Sequence, residues 1–122
     1  MFFPFLNYET FSETGVDDTT ATIVTLSYKA FVIAEVTRGD INANNELIRV
    51  YADNVSITDF NNEINLLYMS GADNDLTGSS YTLNNMHSMP LVLPSGSRVR
   101  VQAVNESNVN VTLHVFRLPT NV

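Results

Sequence analysis

From Val24 to Val36 every even-numbered residue is apolar: Val24, Leu26, Tyr28, Ala30, Val32, Ala34 and Val36. Thr25, Ser27, Lys29 and Glu35 stand among the odd positions. A β-strand turns successive side chains to opposite faces, so this alternation marks a strand with one buried face. A helix over "YKAFVIAEV" is disfavoured by its β-branched residues, whose side-chain freedom a helix restricts. The run is longer than an ordinary strand, so a bend, a bulge or a break is expected near residues 28–31.

The same period recurs along the chain. Val99, Val101 and Ala103 alternate with Arg98, Arg100 and Gln102. Val109, Val111, Leu113 and Val115 alternate with Asn110, Thr112 and His114. "ELIRVYAD" sets Ile48, Val50 and Ala52 against Arg49 and Tyr51, "NVSITD" puts Val55 and Ile57 on one side, and "EINLLYM" puts Ile64, Leu66 and Tyr68 together. "MPLVLP" is a short strand in which Pro90 marks an edge or a start, because proline cannot donate to a sheet ladder. Turn chemistry separates the runs: "ETGVDD", "TRGDINANN", "DFNN", "SGADNDLTGSS", "LPSGS" and "NESN". The four residues 105–108 between the last two strands predict a hairpin.

About eight short strands spaced by turns predict an all-β, antiparallel β-sandwich, as a jelly roll of about eight strands. An immunoglobulin-like sandwich is the runner-up, but a chain with no Cys and no Trp lacks that fold's landmarks. The 122 residues suit one domain. Residues 1–12 are read as an apolar N-terminal arm or first strand, and residues 13–122 as the sandwich. The expected core is Val24, Leu26, Val32, Ile48, Val50, Leu66, Val99, Val101, Val111 and Leu113.

Charge and composition narrow the function. A net charge of −7 from six basic and thirteen acidic residues leaves little to attract a phosphate backbone, so no nucleic-acid partner is expected. The absence of cysteine excludes disulfide and thiol chemistry. The start "MFFPFLNYETF" has no basic residue before Lys29 and is interrupted by Pro4, Asn7 and Glu9. It is not expected to act as a signal peptide or a membrane span.

Nothing in the sequence predicts catalysis, a cofactor or a bound metal. Asp17–Asp18 and Asp73–Asp75 lie in loops, where paired acids are ordinarily solvated. "ADNDLTG", with Asp73, Asn74, Asp75 and Gly78, lacks the spacing and terminal Glu of a calcium loop. His87 and His114, the two histidines, stand on different elements, and neither a GxSxG nor an HExxH pattern occurs. Arg38-Gly39-Asp40 reads as turn residues following a strand. The sequons at Asn54, Asn105 and Asn110 fit a chain rich in asparagine.

The N-terminus stands out more. Phe2, Phe3, Phe5, Tyr8 and Phe11 crowd into eleven residues that Pro4 interrupts. Such a segment serves either as a first strand feeding the core or as an apolar arm docking on a neighbour.

The C-terminal third, a proline-bounded strand, the "LPSGS" turn into "RVRV" and a final alternating strand, resembles the compact β-sandwich domains of bacteriophage head-decoration (cement) proteins and of tail-fibre or knob domains. The resemblance implies a structural virion protein, assembled in the host cytoplasm, that forms a homo-oligomer, a trimer by preference, and bridges major capsid subunits. It implies no cofactor, no membrane and no enzymatic activity. Phe2, Phe3, Phe5 and Tyr8 are then the expected contacts to the capsid or a neighbour. Tyr51 and Tyr68 are further candidates for a subunit interface, because tyrosine combines an apolar body with a polar tip. A carbohydrate- or receptor-binding module is the alternative.

Overall fold

The computed structural model describes residues 7–55, 63–71, 81–83 and 85–119. Its strands are β1 (Tyr8–Val16), β2 (Thr20–Thr25), β3 (Ala30–Ile41), β4 (Leu47–Asp53), β5 (Glu63–Ser70), β6 (Tyr81–Leu83), β7 (Met86–His87), β8 (Leu91–Leu93), β9 (Arg98–Val104) and β10 (Val109–Arg117). The first sheet runs β1-β10-β3, and β6, β7 and β8 all pair with the free side of β3. They meet residues 39–41, 35–36 and 30–32 of β3 in turn, so they form one edge position interrupted twice. The second sheet runs β2-β9-β4-β5. Every pairing is antiparallel. Eight positions, four per sheet, with the chain passing back and forth between sheets, make the expected jelly-roll sandwich.

The core lies between the sheets. Ala30, Val32, Ala34 and Val36 of β3 and Val109, Val111, Leu113 and Val115 of β10 face Ile48, Val50 and Ala52 of β4 and Val99, Val101 and Ala103 of β9. Each valine or leucine so buried contributes roughly 1.5–3 kcal/mol. Of the expected core residues only Val24 and Leu66 are half-buried. Among the described residues no helix is long and apolar enough to cross a membrane.

The alternating run from Val24 to Val36 belongs to two strands in different sheets. The chain leaves β2 at Thr25, crosses at residues 26–29 and enters β3 at Ala30. The even period reaches back only to Val24: the register shifts between Thr22 and Val24, so that Val24 pairs with inward Val99, while Ala21 pairs with inward Val101 and Thr22 with outward Arg100. β3 also continues past Val36. Asn110 pairs with Arg38 and Val111 with Val36, which leaves Thr37 as an extra, bulged residue. The bulge exchanges faces, so Gly39 and Ile41 become the buried positions. Arg38-Gly39-Asp40 therefore sits within a paired strand and is not the turn expected from the sequence.

Two further expectations are corrected. β9 and β10 do not form a hairpin: β9 pairs with β2 and β4, and β10 with β1 and β3. Residues 105–108 carry the chain across the sandwich, with Asn105 and Asn108 both at a φ of 56°. Tyr68 does not share a face with Ile64 and Leu66. Val50 pairs with Leu67 and Tyr51 with Asn65, so Leu66 is bulged, Leu67 turns inward and Tyr68 outward. Pro90 lies on the sheet edge just before β8, as its chemistry predicts. β1 begins at Tyr8 and crosses the boundary drawn at residue 12.

Candidate functional site

The two outer faces of the sandwich differ in chemistry. On the second sheet, Arg98 grips Asp53 with two parallel hydrogen bonds of 2.8 and 2.7 Å, and Arg100 lies 3.7 Å from the same carboxylate. Arg49 bonds Gln102, Glu63 and Asn65 and lies 3.8 Å above the Tyr51 ring. Three of the chain's six basic residues are thus tied into a network covering that sheet. Tyr51 lies within it, only 5 % exposed, and presents little surface to a partner. Tyr68, paired with Arg49 across the strands, is 51 % exposed.

The outer face of the first sheet is apolar at one end. Tyr8 pairs with Phe116, Phe116 with Phe31, and Phe31 with Val92. Partners in register point to the same face, so these four side chains form one row across β1, β10, β3 and β8. Tyr8 is 53 % exposed, Phe31 38 % and Val92 39 %. Met89, beside the edge, is more exposed still. Tyr8 packs on Phe116 at 4.7 Å between ring centres. Of the N-terminal aromatics proposed from the sequence, Tyr8 therefore begins this row, while Phe2, Phe3 and Phe5 lie outside the described residues.

Next to the row sits a polar cluster. Glu35 on β3 is the register partner of His87 on β7. His114 on β10 points from the same face, one step along the diagonal from Glu35. His114 Nε2 lies 2.7 Å and His87 Nε2 3.5 Å from the same oxygen, Oε1 of Glu35. The other ring nitrogen of His114, Nδ1, lies 2.7 Å from the Tyr8 hydroxyl, whose ring stacks on the imidazole. Three metal-ligating side chains converge here, with donor atoms within 4.8 Å of one another. The sequence placed the two histidines on separate elements and gave no reason to join them. They meet because β10 and the β7 segment flank β3 on opposite sides, a pairing that no local pattern encodes.

A further group of carboxyls gathers at one end of the sandwich, where Glu46, Glu106 and Asp40 interact. Asp17 and Asp18 beside them are occupied as turn acceptors: Asp18 accepts from the Asn105 amide and Asp17 from the Asn108 amide, both at 2.7 Å. Asp73, Asn74 and Asp75 lie outside the described residues. No family model, curated protein or solved structure matches this chain.

Proposed function

We propose that this chain is a structural virion protein, a decoration protein that self-associates, as a trimer, and bridges subunits of a bacteriophage capsid. The observation that carries the reading is the row Tyr8–Phe116–Phe31–Val92 on the outer face of the first sheet. Exposed apolar residues that are contiguous, on a face opposite one sealed by ion pairs, mark a contact surface. The row begins at Tyr8, the first residue of β1, next in sequence to the aromatic segment that holds Phe2, Phe3 and Phe5. Several modest contacts linked through one oligomer hold a shell far more tightly than one contact alone, through effective concentration.

Pelleting with empty capsid shells stripped of decoration tests the proposal. The wild type is expected to co-sediment saturably, and Phe31→Glu to stay in the supernatant while folded. A wild type that never pellets with shells contradicts it. A carbohydrate- or receptor-binding role is the second reading. It draws on exposed Tyr68, an aromatic surface beside Arg49 and near Asn65 and Glu63. A glycan array binding wild type but not Tyr68→Ala supports that alternative.

A further inference from the structure

We propose that Glu35, His87 and His114 form a site for one divalent transition-metal ion on the outer face of the first sheet, zinc being the representative ion. The three side chains come from three adjacent strand segments of one sheet, so backbone pairing, not a loop, sets their spacing. Their donor atoms are two imidazole nitrogens and one carboxylate oxygen. Imidazole selects zinc, copper or nickel over calcium and magnesium, which prefer all-oxygen shells.

The geometry is near what such an ion needs. Ligands about 2.0 Å from a tetrahedral ion stand about 3.3 Å apart. His87 Nε2 and Glu35 Oε1 are 3.5 Å apart already. His114 Nε2 and the same oxygen, at 2.7 Å, must open by about half an ångström. The remaining adjustment falls on the two imidazoles, which begin no more than 4.8 Å apart. His87 can supply it, because its side chain is 52 % exposed and lies on a two-residue edge segment. Three protein donors leave the fourth position to water or to an incoming group.

Tyr8 makes the site work in both states. Without metal, His114 donates from Nε2 to Glu35 and accepts the Tyr8 proton at Nδ1. With metal, Nε2 turns its lone pair to the ion and Nδ1 carries the proton, which the Tyr8 oxygen accepts. A hydroxyl both donates and accepts, so the Tyr8–His114 hydrogen bond survives the change of tautomer, while ligation to the ion replaces the bond between His114 Nε2 and Glu35. A partner on the far nitrogen is what fixes the orientation of a ligating histidine.

The test is isothermal titration of zinc into the full chain after dialysis against a chelator, with cobalt absorption as a second readout. One ion per chain is expected, with a tetrahedral cobalt spectrum. His87→Gln and His114→Gln are each expected to abolish binding, and Tyr8→Phe to weaken it by about tenfold. His87→Gln changes an exposed edge residue, so its circular dichroism and thermal transition without metal stay those of wild type. Loss of zinc binding in that folded variant supports the site. Undiminished binding in His87→Gln, or no binding by wild type at micromolar zinc, overturns it.

Discussion

The carboxyl group of Glu106 hydrogen-bonds that of Glu46, at the end of the sandwich where the β9–β10 and β3–β4 connections meet. Glu106 is only 6 % exposed, and its Oε1 is buried without a hydrogen-bond partner. Burial first, then Glu46 and Asp40, push its carboxyl up to about 8. Glu46 feels an upward push from its own burial, yet hydrogen bonds from Glu106 and from the backbone at Asn42 and Ala43 hold it below its ordinary value.

This pair predicts an unusual pH dependence. A folded-state value raised above the unfolded one means that the native chain binds more protons between the two. Glu106's contribution is fully present below the ordinary carboxylate range and is lost as pH rises toward 8. Urea midpoints measured from pH 5 to pH 8 are expected to fall for wild type. Glu106→Gln, which keeps a donor for Glu46 and cannot ionise, is expected to flatten that fall and to exceed wild type at pH 8.

Asp53 predicts the opposite slope in acid. The Arg98 hydrogen bonds hold its carboxyl below the ordinary range, against the upward push of its burial, with the charges of Arg98 and Arg100 adding to the lowering. The stability that it supplies is present above the unfolded value and lost as pH falls through the lowered one. Asp53→Asn is therefore expected to reduce stability at pH 7 and to differ less from wild type near pH 2, measured by thermal denaturation.

Gly71 admits no side chain. A Cβ there would lie 1.9 Å from the backbone oxygen of Ala43, and the Gly71 amide bonds the Glu46 carbonyl at 2.9 Å. Gly71→Ala must displace backbone, at about 1–3 kcal/mol. Gly96→Ala meets no atom within 4 Å and is strained only by its φ of +92°. Chemical denaturation of both variants separates the two effects.

Truncation separates arm from strand. β1 pairs from Tyr8 onward, and Glu9 accepts a hydrogen bond from Tyr28, whose ring also lies under Arg117. Deleting residues 1–6 is expected to leave the unfolding midpoint nearly unchanged while weakening shell binding. Deleting residues 1–11 removes Phe11 from the packing and four residues from the ladder, a loss on the order of 3 kcal/mol.

The sheet class was legible because burial on one face writes a period of two directly into residues such as those of β9 and β10. Bulges were not legible. Thr37 and Leu66 each insert one residue and exchange faces, yet neither position carries a glycine or proline to announce it. The connection at residues 105–108 looked like a hairpin because a short polar turn between two strands says nothing about which strand each will pair with. Glu35, His87 and His114 were hidden for the same reason: their meeting depends on long-range register. The left-handed turns at Asn54, Asn85, Asn105 and Asn108 account in part for the abundance of asparagine, which tolerates that conformation.

The proposed role of the apolar outer face of the first sheet is contact with protein. Sedimentation equilibrium of the purified chain at micromolar concentration, wild type beside Phe31→Glu, tests it most directly. An oligomeric mass is expected for wild type and a folded monomer for the variant. A wild type that sediments as a monomer, or a variant that assembles as fully as wild type, contradicts it.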